Sequence, residues 1–511
     1  MTDTDHQAPP VASAARRWAA ALLLSASLLV ITVDMTILNI AVPDLAADLR
    51  PTAAQQLWII DVYSLVLAGL LVSTSSLGDR FGRKRMLLLG YVVFGIASAL
   101  VLWAETPAQV IALRAALGVG GAMIMPTTLT MLRVIFTDPA ERAKALGLWA
   151  AVSGVGAAVG PIVGGVLLEN FSWRAAFMVN VPVMVIVLVV GIFLLPESKV
   201  GATGAWDWVG ALMSITGMVA LVWAIKRFAK DHTLLSGPAL VALLLAVLVL
   251  GLFVRRSLHR ANPLLDVRLF ERRQFSAGIV AALGVMFAMA AALLLLAQWM
   301  QLVAGYGPIE TGVRLLPVAL AAVVSSLAAP WLANVLNARV VLAGGLVAAA
   351  VGMVLLAVPL DLDCAGLVAP LVLVGVGMGA MTVASAMIMS GTPEEKAGNA
   401  AALEETSYDL GNVLGVAVLG SVAAMLYTAD ADFGAIPGVD AATAGAAGES
   451  LGAAMAIAQQ AGLPALAEHA ASGFTASLQT TGLVGGMILF AVALGVYALT
   501  PNGTDITQQA H

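Results

Sequence analysis

The sequence predicts an all-α polytopic membrane protein in which two six-helix bundles flank an inserted pair of helices. Three observations support this prediction: the composition, a series of long apolar segments, and an internal repeat. Of the 511 residues, 60% are hydrophobic and 11% are charged, and the mean hydropathy is +0.97. Because soluble domains carry about 25% charged residues, this composition excludes a soluble chain.

Apolar segments long enough to cross a membrane follow one another through the chain. A membrane-spanning helix needs about 20 predominantly apolar residues, and fourteen segments meet this length. Their predicted bounds are 18–42, 57–77, 86–104, 108–132, 144–168, 175–195, 207–225, 234–254, 276–303, 312–333, 339–359, 366–391, 398–427 and 478–499. The first follows Arg16 and Arg17, as a signal peptide would, but its length and its many successors predict a membrane span. An even number of spans places both termini on one side.

The distribution of cations predicts which side of the membrane the termini occupy. With both termini inside, 18 of the 25 lysines and arginines lie in the inner segments and six lie in the outer ones. Cytoplasmic loops are enriched in these residues, so we expect cytoplasmic termini and a location in the bacterial cytoplasmic membrane. One cluster, Lys226–Lys230, departs from the pattern because it lies between spans seven and eight, on the outer side.

The two bundles are related by an internal repeat. An offset of 255 residues places the segment 79–84 on 334–339 and the segment 156–165 on 411–420. Two matches at one offset indicate duplication, which is common in transporters. The predicted parts are a cytoplasmic tail 1–17, a six-helix bundle 18–195, a linker with spans seven and eight 196–254, a cytoplasmic basic loop 255–275, a six-helix bundle 276–499 with an external acidic loop 428–477, and a cytoplasmic tail 500–511. Within the acidic loop we expect two short helices that separate near Gly462–Pro464.

Charged side chains at membrane depth are the first candidates for function, because a charge in hydrocarbon is costly and normally faces a cavity or a partner. At 1.5 Å per residue, Asp34 lies about 24 Å along span one and Arg114 about 9 Å into span four. Both therefore lie in the outer half of the membrane, at the depth of Asp61. These three are predicted to bind protons or substrate, although a purely structural Asp–Arg pair is an alternative.

Span thirteen carries a second group of candidates. Glu405, Asp409 and Asn412 follow the spacing i, i+4, i+7 and share one helical face. Asp409 lies about 16 Å from the inner end of the span, close to the midplane. Glu404 points about 100° away, so we expect it at the interface or paired locally. The span contains no lysine or arginine to neutralise Asp409, and this residue is predicted to exchange a proton for a cation.

Five motifs resemble those of the major facilitator superfamily and together extend from span one to span six. They are VDMTILNIAVP at 33–43, GDRFGRKR at 78–85, RAALGVGGAMIMP at 114–126, GAAVGPIVGG at 156–165 and WRAAFMVNVP at 173–182. The first and last are similar to signatures of the fourteen-span drug:proton antiporters, the group of the QacA, SmvA and LfrA multidrug efflux pumps. Two positions depart from the pattern: Ser75 replaces the leading glycine of the loop motif, and Leu117 replaces a glutamine in span four. The first departure is expected to alter how closely the loop packs.

The resemblance implies roles for two of these motifs. The loop between spans two and three is expected to latch the halves in one conformation through Asp79, Arg80, Gly82 and Arg83. The stripe in span five is expected to form a hinge or seal through Gly156, Gly160, Pro161 and Gly164. Alternatives remain for both motifs, since clustered cations also set topology and small residues also serve ordinary helix packing.

Aromatic and methionine side chains are predicted to form the surface that contacts drugs. Cation–π contacts and adaptable methionine packing suit lipophilic cations of varied shape. The candidates are Trp58, Tyr63, Met125, Phe177, Met289, Trp299 and Tyr408.

The residues and the resemblance together favour proton-driven efflux of lipophilic cations by alternating access, and the resemblance implies quaternary ammonium compounds, dyes and fluoroquinolones as substrate classes. The alternative is export of one specific metabolite or self-made antibiotic on the same fold. An enzyme is disfavoured because all five histidines lie outside the spans, and a nucleotide-binding loop is absent from the sequence. We expect a monomer in the bilayer with no cofactor, metal or nucleic-acid partner. The single cysteine, Cys364, excludes an intrachain disulfide.

Overall fold

The computed structural model describes residues 13–199, 206–231, 236–260, 263–358, 364–430 and 433–503. These ranges contain eighteen α-helices and no strand. In chain order they are α1 Ala14–Leu49, α2 Ala53–Phe81, α3 Arg83–Leu100, α4 Pro107–Ile135, α5 Pro139–Asn170, α6 Ala175–Met178, α7 Asn180–Leu194, α8 Trp208–Asp231, α9 Gly237–His259, α10 Arg273–Gln298, α11 Pro308–Arg314, α12 Leu316–Leu336, α13 Ala338–Leu355, α14 Cys364–Ser390, α15 Ala397–Asp430, α16 Ala441–Glu449, α17 Leu451–Ala461 and α18 Pro464–Leu499.

Thirteen helical segments in the described ranges are long and apolar enough to cross a membrane, which confirms the predicted all-α membrane class. They correspond to every predicted span except the fifth. That span, 144–168, lies within α5, a helix of 32 residues. At 1.5 Å per residue, α5 is about 48 Å long and exceeds the roughly 30 Å thickness of the hydrocarbon core.

Polar caps set the depth of two candidate residues. Thr52 before α2 and Thr106 before α4 each form a capping box with the glutamine three residues later. Asp61 follows the first cap by nine residues (61 − 52), and Arg114 follows the second by eight (114 − 106). Because α2 and α4 start at the same end and pack against each other, both side chains lie at one depth, as the sequence predicts.

The helices pack in two sets with the same internal pattern, and an inserted pair lies beside them. In the N-terminal set, α1 packs on α5, α2 on α4, and α3 on α4 and α7. In the C-terminal set, α10 packs on α15, α12 on α14, and α13 on α14 and α18. The inserted helices α8 and α9 pack on each other, and α8 also contacts α2 and α15. The inserted pair therefore contributes to the boundary between the sets.

Backbone geometry supports the 255-residue repeat. Gly82 joins α2 to α3 with φ 116°, and its repeat partner Asn337 joins α12 to α13 with φ 73°. Among the described non-glycine residues only Asn337 and Arg50 have positive φ, so asparagine occupies the repeat position that glycine occupies in the first half. Asparagine tolerates this region better than most residues.

The glycine stripe of α5 and its counterpart on α15 make equivalent close contacts. A Cβ atom on Gly156 would lie 1.8 Å from the hydroxyl oxygen of Thr32 on α1, and one on Gly160 would lie 1.8 Å from that of Thr36. On α15, a Cβ atom on Gly411, the repeat partner of Gly156, would lie 2.5 Å from a carbonyl oxygen of α10. The stripe therefore lets α5 pack closely on α1. Gly164 is buried in the same helix, and the side chain of Pro161 lies outside the described residues.

The region before the last span differs from the prediction. The predicted break near Gly462–Pro464 is present, with Gly462 as a left-handed cap. However, a further break at Ser450 divides the preceding segment into α16 and α17, and α18 begins at Pro464 rather than near residue 478. Uninterrupted helical hydrogen bonding carries the last span about 21 Å (14 residues at 1.5 Å) beyond its predicted start.

Candidate functional site

Asp34 and Arg114 form a buried ion pair in the N-terminal set. An Arg114 guanidinium nitrogen lies 2.8 Å from Asp34 Oδ2, and neither side chain is more than 3% exposed. Asn180 on α7 donates from Nδ2 to the other carboxylate oxygen at 2.8 Å, and Arg114 Nε donates to the carbonyl oxygen of Ile59 at 3.3 Å. Both carboxylate oxygens are therefore bound, and the network joins α1, α2, α4 and α7. Asn180 is a site residue that the sequence motifs do not single out, although it is a polar residue in an otherwise apolar span.

Tyr63 lies against this pair. The Arg114 guanidinium carbon is 4.6 Å from the centre of the Tyr63 ring, a cation–π distance. The Tyr63 hydroxyl has no hydrogen-bond partner among the described residues. Tyr63 therefore stacks on the ion pair and leaves a buried donor unused.

Asp61 does not join the Asp34–Arg114 pair, although it lies at the same depth. Its Oδ1 contacts Nζ of Lys226 at 2.5 Å, and the two side chains are 28% and 27% exposed. The prediction that Lys226 belongs to an external loop is wrong, because α8 continues to Asp231 and carries it. Lys226 is therefore a site residue that was not predicted, and its departure from the positive-inside pattern is the sequence signal that identifies it.

A cavity of about 680 Å³ lies between α1, α2, α4, α8 and α15. Five of the predicted site residues line it: Trp58, Asp61, Tyr63, Arg114 and Asn412. Helix α8 adds three further side chains, Trp223, Lys226 and Arg227. The wall thus combines aromatic faces with charges of both signs and uses residues from both helix sets and the inserted pair.

Three carboxylates are buried on α15. Glu404 and Glu405 are fully buried and Asp409 is 8% exposed. The Tyr408 hydroxyl donates to Glu404 Oε1, which confirms the predicted local pairing of Glu404. The alternative prediction, that Glu404 lies at the membrane interface, is wrong because its side chain is fully buried. Both oxygens of Glu405 and Oδ2 of Asp409 have no hydrogen-bond partner in the described part of the chain. These two side chains therefore carry unused acceptors inside the protein.

Asp409 is not on the cavity wall, but it lies one turn of α15 away from it. Asn412, one turn further along α15, lines the cavity, and Asp409 is within electrostatic range of Lys226 and of Tyr63. Asp409 has no cation on its own helix, as expected, but α8 supplies one. The cavity and its surroundings thus hold carboxylates from both halves.

The predicted latch residues lie at the opposite end of the bundle from the caps of α2 and α4. Arg83 Nε donates to Asp79 Oδ1 at 2.9 Å, and the Asp79 carboxylate packs against Gly398, near the N-terminus of α15. A Cβ atom at position 398 would lie 2.0 Å from Asp79 Oδ2. Ser75, the departure from the loop motif, donates from Oγ to the Gly398 carbonyl oxygen at 2.6 Å. Arg80 is partly exposed and forms no ion pair within the described ranges.

A second contact joins the two helix sets near the buried acids. The rings of Trp149 on α5 and Tyr408 on α15 lie 6.0 Å apart. Trp149 Nε1 donates to the hydroxyl of Thr128 on α4 at 3.2 Å. Tyr408, a predicted drug contact, therefore lies in the interface between the halves in this structure.

Four further predicted drug contacts lie in the protein core rather than on the cavity wall. They are Met125, Phe177, Met289 and Trp299. The Phe177 ring packs edge-on against Trp173 at 6.1 Å, and Trp299 Nε1 donates to Thr475 Oγ1 at 3.0 Å. In this conformation their side chains serve helix packing.

The start of the span-six motif anchors the predicted external end of α1. Trp173 Nε1 and an Arg174 guanidinium nitrogen each donate to Asp48 Oδ2 at 2.9 Å. Both hydrogen bonds lower the pKa of Asp48, and the one from Trp173 has the larger effect. The carboxylate therefore stays charged. This part of the motif thus has a structural role outside the membrane span.

The chain is similar to known transporters over nearly its whole length. Residues 24–416 match the model of the Major Facilitator Superfamily. The chain is 39% identical to the multidrug efflux pump LfrA of Mycolicibacterium smegmatis, covering 94% of this chain and 95% of LfrA. It is 35% identical to the methyl viologen resistance protein SmvA of Salmonella typhimurium, covering 94% and 98%. It is 36% identical to the puromycin resistance protein pur8 of Streptomyces alboniger, covering 83% and 87%.

A solved structure supports the fold independently. The crystal structure of a bacterial homolog to the human lysosomal transporter Spinster superposes with a TM-score of 0.60 at 16% identity. The superposition covers 96% of this chain and 98% of that one. At this level of identity the likeness shows the fold alone.

Proposed function

Because the chain belongs to the Major Facilitator Superfamily, we propose that it exports lipophilic cations in exchange for protons by alternating access. The observation that carries the proposal is the contrast between the buried carboxylates. Asp34 has both oxygens bound, whereas Glu405 and Asp409 carry oxygens with no hydrogen-bond partner among the described residues, and Asp409 lies one helical turn from Asn412 on the cavity wall. The second pair is available for a ligand.

Exchange follows from the cost of a buried charge. A carboxylate without hydrogen-bond donors inside a membrane protein must be neutralised by a bound cation or a bound proton. At Asp409 these two states exclude each other, so binding of a cationic substrate releases a proton and binding of a proton releases the substrate. This competition is the coupling that an antiporter needs.

The contacts between the helix sets support an alternating-access cycle. Ser75, Asp79 and Gly398 hold the sets together at the end that the charge pattern assigns to the cytoplasm. The cavity lies toward the other end, near the depth set by the caps of α2 and α4. We infer that this structure represents the conformation closed to the cytoplasm. The charge asymmetry also supports cytoplasmic termini and a location in the bacterial cytoplasmic membrane for the chain, which we take to act as a monomer.

The relatives and the cavity wall support lipophilic cations as the substrate class. LfrA is named for multidrug efflux and SmvA for methyl viologen resistance, and methyl viologen is an aromatic dication. Trp58 and Trp223 line the cavity and present aromatic faces, which attract such ligands through cation–π contacts. Quaternary ammonium compounds and cationic dyes combine the same two properties, and fluoroquinolones are a further candidate class.

One observation favours a second candidate, the export of a single metabolite or self-made antibiotic. The cavity wall carries three cations, Arg114, Lys226 and Arg227, beside one carboxylate, Asp61. Such a wall can also receive an anionic group. The relative pur8, named for puromycin resistance, supports the same alternative.

Transport into inverted membrane vesicles tests the proposal. Vesicles containing the protein should accumulate the cationic dye ethidium when a proton gradient is imposed, and a protonophore should abolish the accumulation. Vesicles carrying Glu468→Gln, which removes an exposed acid outside the cavity, should behave as wild type. Uptake of the anionic dye fluorescein without ethidium uptake would favour the second candidate, and ethidium uptake that a protonophore does not change would exclude proton coupling.

A further inference from the structure

The ion pair between Asp61 and Lys226 faces the cavity. Lys226 Nζ lies 2.5 Å from Asp61 Oδ1, and more than a quarter of each side chain is exposed. Both side chains line the cavity. Ion pairs with this degree of exposure are weak, so a competing cation can displace the ammonium from the carboxylate.

Helix α8 holds the ammonium between the two halves. Val222, one turn before Lys226, is buried in a cluster with Leu65 and Ala68 of α2, and Leu410 of α15 packs against that cluster. The backbone near Lys226 is therefore fixed at the boundary of the halves. The lysine side chain itself is a compact charge on a flexible four-carbon stem, which permits movement between neighbouring carboxylates.

Asp409 is the second anion near this ammonium. It is within electrostatic range of Lys226, and its Oδ2 has no hydrogen-bond partner among the described side chains. The Lys226 ammonium thus contacts the Asp61 carboxylate directly and acts electrostatically on the Asp409 carboxylate of the opposite helix set. Trp223, one turn before Lys226 on the cavity wall, adds an aromatic face to this arrangement. These are the groups that would recognise a lipophilic cation.

We propose that Lys226 is a tethered counter-cation that occupies one charge position of the substrate until a substrate binds. This inference rests on the proposed export of cations. A tethered group competes with a free ligand at high effective concentration. A monocation can bind at Asp409 while Lys226 stays on Asp61, whereas a dication must displace Lys226 to reach both carboxylates. Lys226 therefore sets the selectivity between monocations and dications.

Binding measurements on the purified full-length chain test this role. The probes are ethidium, a monocation, and methyl viologen, a dication, with Kd measured by calorimetry. In Lys226→Met we expect the Kd of methyl viologen to fall at least tenfold and that of ethidium to change less than threefold. Lys226→Arg keeps the charge and should keep wild-type selectivity. Arg50→Gln removes an exposed cation at the same end of the bundle and should change neither Kd.

Two further variants separate competition from a structural role. The double variant Lys226→Met/Asp61→Asn removes both partners, so the dication should bind within threefold of wild type. Asp61→Asn alone releases the Lys226 ammonium toward Asp409, so the Kd of each cation should rise at least tenfold. This variant keeps the test decisive even where Lys226→Met does not fold.

The outcomes distinguish this inference from the proposed function. If wild type binds both cations but their Kd ratio is the same in Lys226→Met, or if Asp61→Asn leaves both Kd values unchanged, Lys226 serves only to hold α8 on α2. The inference then fails and cation export stands. If wild type binds neither cation, the proposed function fails and this inference fails with it.

Discussion

The hydroxyl of Ser75 on α2 donates a 2.6 Å hydrogen bond to the backbone carbonyl of Gly398 on α15, and this bond joins the two halves of the transporter. Asp79, one turn further along α2, places its carboxylate against the same glycine. Gly398 is the second residue of α15, where the helix dipole attracts negative charge. The loop motif therefore acts on the start of the helix that carries Glu405 and Asp409.

The first prediction concerns the Ser75 hydrogen bond. Ser75→Ala removes a bond that exists only while the halves are closed at this end, so it should favour the open state. A buried hydrogen bond contributes about 1 kcal/mol, or about fivefold in the equilibrium. The measurement is the rate of maleimide labelling of a cysteine introduced at Thr392, a buried residue of the same end, in a Cys364→Ala background. Labelling should be about fivefold faster.

The matched control for this experiment is Ser76→Ala. Ser76 is the next residue of α2 and makes no hydrogen bond to α15 within the described residues. Its labelling rate should equal that of wild type. Equal rates in Ser75→Ala and Ser76→Ala would show that the Ser75 bond does not hold the closed state.

The second prediction concerns the space at Gly398. A Cβ atom there would lie 2.0 Å from Asp79 Oδ2, so Gly398→Ala should prevent closure at this end and lower turnover at least tenfold while substrate still binds. Adding Asp79→Ala should restore part of the turnover because the clash is removed. The control is Gly344→Ala on α13, where a Cβ atom meets nothing within 4 Å. The measurements are the transport rate and the Kd of the substrate. Normal turnover in Gly398→Ala would show that transport does not require the close contact between Asp79 and Gly398.

The third prediction separates structural and transport roles of Asp34. Asp34→Asn should abolish dye efflux, but it also leaves Arg114 buried without its carboxylate, which costs about 3–5 kcal/mol in comparable pairs. The double variant Asp34→Asn/Arg114→Gln removes the unpaired charge and should recover thermal stability. If Asp34 takes part in transport, the double variant stays inactive although it is stable. Recovery of proton-dependent efflux in the double variant would show that the pair is structural.

Much of this arrangement follows from the sequence because depth in a membrane helix is simple arithmetic. Residue counts from span ends place Asp34 and Arg114 at one level, and the structure pairs them. The 255-residue offset likewise matches Gly82 with Asn337, and both have positive φ. These features depend on distance along single helices or on local backbone conformation.

The remaining features depend on how helices rotate and pack, which no single segment specifies. Lys226 looked like a loop cation because hydropathy falls at the end of a span, yet α8 carries it to Asp61. Asn180 became important because α7 packs on α1 and brings it to Asp34, and Ser75 because α15 packs on α2. Sequence spacing therefore identifies candidate charges, while tertiary packing selects their partners.

The last prediction concerns Asp409. The repeat offset of 255 places it opposite Gly154 in the first half, so duplication of the fold does not require a carboxylate there. Its Oδ2 has no hydrogen-bond partner in the described part of the chain, which leaves it available to a proton or a substrate cation, and Lys226 on α8 is within electrostatic range of it. In Asp409→Asn a dication loses one of its two carboxylates, whereas a monocation can still bind at Asp61 by displacing Lys226. At an effective dielectric constant near 20, the loss of one opposite charge at a separation of about 8 Å costs about 2 kcal/mol, or about thirtyfold. We therefore expect the Kd of a bis-quaternary compound to rise about thirtyfold, that of a mono-quaternary compound to rise less, and drug-induced proton release in detergent to fall for both.

The control for the Asp409 experiment is Glu468→Gln, which changes an exposed acid of α18 and should release protons as wild type does. Equal proton release from Asp409→Asn and wild type for both compounds would assign Asp409 a structural role and leave Glu405, whose two carboxylate oxygens have no hydrogen-bond partner among the described residues, as the remaining candidate.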